Sequence, residues 1–115
     1  MPKRDDVVLL NDMLDAIAQV ETYLTQVPHS RFVESRLLQD GVMHEIEIIG
    51  EAARNLSENF REQHSAMAWQ DIVGMRNRIA HGYFAVDLRS VWDTAKFDLP
   101  ELRQFIMRIL GETDA

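Results

Sequence analysis

Residues Val42–Phe60 read VMHEIEIIGEAARNLSENF, and the spacing of their apolar members decides the fold. Val42, Ile46, Ile49, Ala53, Leu56 and Phe60 recur every three or four positions, which places them on one side of an α-helix. His44, Glu47, Glu51, Arg54 and Glu58 repeat with the same period on the other side. Gly50 sits inside this pattern at a cost of about 1 kcal/mol relative to alanine. Unless its presence is incidental, it predicts a second backbone packed closely against that turn.

The same period extends in both directions. Between Asp5 and Thr25, residues Leu10, Leu14, Ile17, Val20 and Leu24 form one face of an amphipathic helix that Pro28 ends. Ser30 is placed to cap a short helix through Leu38, and the polar break at Asp40-Gly41 either kinks it or starts a new segment. On the C-terminal side a helix is expected from Ala68 to His81, with Gly82 as its left-handed cap. Asp87 can cap a further helix through Phe97, and Pro100 can open a last one carrying Leu102, Phe105, Ile106 and Leu110. No stretch of useful length has the period of two that a strand requires. The expected fold is all-α, an antiparallel bundle of about four to five helices joined by short loops, forming a single domain over residues 1–115.

Composition narrows the chemistry. The 115 residues include no cysteine, so there is no disulfide framework and no thiolate nucleophile. A net charge of −7 argues against gripping nucleic acid through a broad basic footprint. Of the 12 basic residues, however, only Lys3 and Lys96 are lysines. The remainder are arginines, whose planar forks recognise phosphate bidentately, so a small basic site on an acidic body stays open. The apolar runs are too short for a membrane span or signal core, which permits a cytoplasmic location. There is no glycine-rich phosphate loop and no G-x-S-x-G elbow. His44, Glu47 and Glu51 share a helical face, but without a fourth ligand they are not assigned as a metal site.

One helix carries an anomaly. Trp69, Ile72, Val73, Ala80 and Tyr83 make its apolar stripe, and Arg76 falls in the middle of it. An arginine there needs a polar partner, because an unpaired charge taken out of water costs several kcal/mol. Either it forms a structural ion pair, with Glu51 as the candidate, or it serves a site at the core edge or a subunit interface. His81 lies about 140° further around the helix, so the two flank one groove. Asn77, one turn before His81, is placed to hydrogen-bond the ring and fix its orientation. At a helix C-terminus the macrodipole favours the protonated ring, which suits His81 to proton transfer, although a simple capping role fits the position as well. His29, His44 and His64 share no motif with such groups. Gly74, one heptad before His81, leaves that face low enough for a second helix, which favours a dimer across it. Tyr83 falls on the apolar stripe, where packing alone accounts for it. Its place just past Gly82 also lets the hydroxyl project toward solvent beside the pair.

The segment Arg76-Asn77-Arg78-Ile79-Ala80-His81-Gly82-Tyr83 resembles the R-x4-H-x-Y motif of the HepT toxins, a branch of the HEPN superfamily. Ile48 through Ala53 resembles the family's I-G-E-A segment, Trp69 through Met75 its lead-in, and Val86 through Pro100 its tail. The resemblance implies an all-helical homodimer in which the two motifs face each other and form a composite, metal-independent endoribonuclease site without a cofactor. It carries over Arg76 and His81 as catalytic residues, with Asn77 and Tyr83 supporting them. It also implies a type VII-like toxin-antitoxin pair, in which an MntA-like nucleotidyltransferase antitoxin transfers AMP to Tyr83. Some HEPN proteins are instead nucleotide-binding or adaptor modules, in which Arg76 would hold a phosphate without cleaving anything. The residues suit RNA cleavage independently of the family. With the 2′-hydroxyl as nucleophile, the protein must move a proton and stabilise a phosphorane, tasks that fit His81 and Arg76.

Overall fold

Two long helices, α1 (Arg4–Leu24) and α3 (Arg36–Asn55), make the most extensive pairing in the computed structural model, which describes residues 4–81 and 85–114. Their ends fix the direction. Asp6, at the start of α1 and only 2% exposed, accepts hydrogen bonds from the Ser57 backbone N–H at 2.8 Å and the Ser57 hydroxyl at 2.7 Å, just beyond the end of α3. At the other end Gly41 faces the Tyr23 ring so closely that a Cβ there would lie 3.0 Å from it. The helices are therefore antiparallel. Leu10, Ile17, Val20 and Leu24 face Val42, Ile46, Ile49 and Ala53 within one cluster of buried side chains, as the spacing requires. Met13 and Ala16 join them, whereas Leu14 is only partly buried.

The remaining elements are mostly short. Helix α2 (His29–Phe32) packs against Trp92, whose ring centroid lies 5.2 Å from that of His29 and 5.4 Å from that of Phe32. Helix α4 (Glu58–Gln63) is capped by Ser57, whose hydroxyl accepts from the Phe60 N–H at 3.1 Å. Then come α5 (Trp69–Val73), α6 (Met75–Ile79), a two-residue antiparallel ladder of β1 (Ala80–His81) with β2 (Ala85–Val86), and α7 (Leu88–Asp93). A π-helical segment, Thr94–Asp98, leads directly into α8 (Leu99–Asp114), which packs on α1 and places Pro100 in its first turn. Among the described residues no helix is long and apolar enough to cross a membrane.

The fold is all-α, but several expected boundaries move. Ser30 caps nothing: α2 starts after Pro28 without a side-chain cap, and Ser35 caps α3 by accepting from the Leu38 N–H at 3.2 Å. Asp40-Gly41 neither kinks nor breaks α3. Asp40 pairs with Arg36 one turn earlier at 3.0 Å, and Gly41 is the small residue that admits Tyr23 at the crossing with α1. Asp87 does cap its helix, accepting from the Ser90 N–H at 3.1 Å, yet α-geometry ends at Asp93 and the stretch to Asp98 is π-helical. The helix expected over Ala68–His81 is two helices. Gly74, at φ −88° and ψ 4°, is the C-cap of α5 and interrupts the winding. Ladder pairing then takes Ala80 and His81 out of the helix, with Ala80 opposite Val86 and His81 opposite Ala85. The expected cap, Gly82, lies outside the described residues.

Candidate active site

Gly50 sets the geometry around Arg76. A Cβ at Gly50 would lie 3.2 Å from the Val73 carbonyl oxygen and 3.5 Å from that of Ile72, so the end of α5 rests directly on the backbone of α3. This is the close backbone approach that a glycine inside a helix predicts. From that contact the two elements run in opposite directions, so one turn forward from Val73 meets one turn back from Gly50. Arg76 and Glu47 occupy those positions, and the Arg76 Nε–H donates to Glu47 Oε1.

The expected partner, Glu51, is thereby corrected. It lies one position beyond Gly50, on the far side of the contact, and pairs along its own helix with Arg54. Asn55 adds a hydrogen bond to its carboxylate at 3.4 Å. The hydrogen bond from Arg54, reinforced by the guanidinium charge, holds the exposed Glu51 carboxyl below the usual glutamate range. The same contact raises Arg54 above its ordinary value.

Arg76 also leaves the apolar stripe. The break at Gly74 changes the phase of the following turn, so Met75 takes the buried position at 0% exposure and the Arg76 side chain stays 50% exposed. It lines an open cleft of about 350 Å³ together with Glu47, Gly50, Glu51, Arg54, Val73, Asn77 and Ile46. Among the described residues Glu47 is the one hydrogen-bond partner of the guanidinium, and it engages Nε alone. Among the described residues no hydrogen bond engages the Nη nitrogens, and the side chain is half exposed at the cleft. A guanidinium at such a cleft can donate two parallel N–H bonds to a phosphate.

The structure thus brings Arg76 and Asn77 into one cleft with Glu47 and Arg54, two residues that periodicity alone does not attach to Arg76. The available signal for Glu47 was its position one turn before Gly50. The backbone of His81 lies just past α6, within β1, while its ring and all of Tyr83 lie outside what the structure describes. At Gly74 the Gln70 carbonyl oxygen would lie 3.3 Å from an added Cβ, in keeping with a residue that ends a helix.

An all-α chain with a half-exposed arginine at the head of an R-x4-H-x-Y segment defines a HEPN-type protein, and comparison with known proteins gives the branch. The family described as "Ribonuclease HepT-like" matches residues 13–109, and the chain belongs to this HepT-like ribonuclease family. A Methanocaldococcus jannaschii protein named "Gamma-glutamylcyclotransferase and putative RNase" is 38% identical over 97% of this chain, which spans 50% of that longer protein. A protein of Thermococcus cleftensis named "Probable ribonuclease HepT" is 34% identical over 88% of this chain and 92% of its own length. A "Putative RNase" of Caldanaerobacter subterraneus subsp. tengcongensis is 42% identical over 69% of this chain and 70% of its own. No solved structure matches the chain.

Proposed function

We propose that this chain is a metal-independent endoribonuclease toxin that works as a homodimer, with Arg76 and His81 as its catalytic residues. The observation that carries the reading is the Arg76 guanidinium, half exposed in a cleft and paired through Nε with Glu47, at the head of the R-x4-H-x-Y segment. In this mechanism Arg76 binds the scissile phosphate and stabilises the charge gathering on the phosphorane. His81 transfers the proton that lets the ribose 2′-hydroxyl attack and the 5′-oxygen leave. Asn77 supports the site from the cleft wall. Two motifs facing one another across the dimer double the local positive charge, which offsets the −7 of the chain where RNA binds.

The same reading assigns control to a nucleotidyltransferase antitoxin of the MntA type that adds AMP to Tyr83. Each AMP places a phosphodiester charge where Arg76 and His81 receive the RNA phosphate. The alternative is a non-cleaving HEPN nucleotide-binding or adaptor module, in which Arg76 holds a phosphate without cutting RNA.

Incubation of the purified protein with end-labelled RNA in excess EDTA tests the proposal, with light scattering on the same sample. Cleavage by a dimer is expected. A monomer at micromolar concentration, or cleavage abolished by the chelator, overturns the mechanism, and intact RNA under all conditions favours the adaptor.

A further inference from the structure

We propose that Glu47 is a positioning residue for the reaction, tethering Arg76 by its Nε so that the Nη edge is presented to the RNA phosphate. The inference rests on the ribonuclease reading above and names a further residue of that same site.

Arginine has a long, freely rotating side chain, and Arg76 rises from α6, a helix of only five residues that begins directly after the break at Gly74. Nothing local fixes it: among the described residues its one hydrogen bond goes to Glu47. Glu47, by contrast, belongs to the 20-residue α3, and its neighbours Ile46 and Ile49 are both 0% exposed. The rigid element therefore supplies the anchor and the short element supplies the cation. The Gly50–Val73 contact holds the two elements at the spacing this requires.

The atom used matters. A carboxylate bound across Nη1 and Nη2 would occupy the edge that a phosphate needs, whereas one bound at Nε restricts rotation about the end of the side chain and leaves that edge open. The pair is also solvated, with side-chain exposures of 50% and 44%, and ion pairs of that kind contribute little to stability. A purely structural function is thus a weak account of the contact. Fixing the guanidinium before the phosphate arrives lowers the barrier through orientation.

The test is single-turnover RNA cleavage by Glu47→Ala, Glu47→Gln, Arg76→Ala and the Glu47→Ala/Arg76→Ala double variant, alongside thermal melts. Glu47→Ala is expected to lower the maximal single-turnover rate on the order of tenfold with the half-saturating protein concentration little changed. Glu47→Gln, which keeps an accepting oxygen of the same reach, should restore most of that loss, and melting temperatures should stay near wild type. The double variant should be no slower than Arg76→Ala, because Glu47 acts only through Arg76. Wild-type cleavage with an unaffected or faster Glu47→Ala variant would overturn the tether, as would losses that multiply in the double variant. A wild-type protein that cuts no RNA would instead overturn the ribonuclease reading itself.

Discussion

Replacing Gly50 with alanine sets two effects of opposite sign against each other. Inside an exposed helix the change gains about 1 kcal/mol, because alanine loses less backbone freedom on folding. Here the new Cβ would meet the Val73 carbonyl oxygen at 3.2 Å, inside ordinary van der Waals contact, with the Ile72 oxygen at 3.5 Å behind it. Helix α5 cannot easily retreat, since Trp69 and Ile72 on it and Met75 just beyond are 5%, 7% and 0% exposed in the core. Overpacking of this sort costs about 1–3 kcal/mol. The net expectation is a loss of about 1 kcal/mol, or roughly 4 °C in melting temperature for a domain of this size. Gly111 provides the control: it lies within α8 with nothing inside 4 Å of its Cβ position, so Gly111→Ala gains helix propensity without a clash. Circular-dichroism melts of the two variants should shift in opposite directions. Equal stabilisation of both would refute the argument that Gly50 is there to admit the backbone of α5.

Asp6→Ala removes a buried carboxylate from two hydrogen bonds to Ser57, and denaturant titration should show a loss of about 2 kcal/mol. An unchanged midpoint would show that the clamp between the start of α1 and the end of α3 is dispensable. The Glu51 carboxyl titrates below the usual glutamate range because Arg54 donates to it and attracts its charge. Any stability it lends is therefore full above the unfolded-state value and is lost as pH falls through the lower folded value. A carboxyl NMR titration of Arg54→Gln should move the Glu51 midpoint upward, and an unmoved midpoint would contradict the pairing. Incubation with the proposed nucleotidyltransferase partner, ATP and magnesium should add whole AMP units to the wild-type mass and none to Tyr83→Phe. No addition, or full ribonuclease activity after it, would reject control through Tyr83.

The long helices were legible because burial repeats over many turns. Ile46, Ile49 and Ala53 could be assigned to the core of α3 from spacing alone, and Gly50 announced a close backbone approach that the structure contains. The region that carries the candidate site was harder to read for the same physical reason. Its elements span only a turn or two, so Gly74 resets the helical phase before periodicity can build, and a ladder of two residues per strand leaves no alternating pattern. That reset moved Arg76 from the core stripe to the cleft and changed its partner from Glu51 to Glu47. Ser30 failed as a cap because capping requires an extended backbone at the capping residue itself, which Ser35 has at φ −108° and ψ 100°. The pairing of Asp6 with Ser57 joins residues far apart in sequence, and no local pattern records it.

The most direct test of the Arg76 and His81 assignment is the single-turnover cleavage rate of one RNA, in EDTA, by wild type, Arg76→Ala and His81→Ala. Circular dichroism confirms that each variant is folded, and a matched RNA carries a 2′-deoxyribose at the mapped cut site. Each substitution should lower the rate on the order of 10²-fold or more, and the deoxy substrate should remain intact at that site. Wild-type rates in either folded variant, or cutting at the deoxyribose, would contradict an Arg76/His81 centre that uses the ribose hydroxyl.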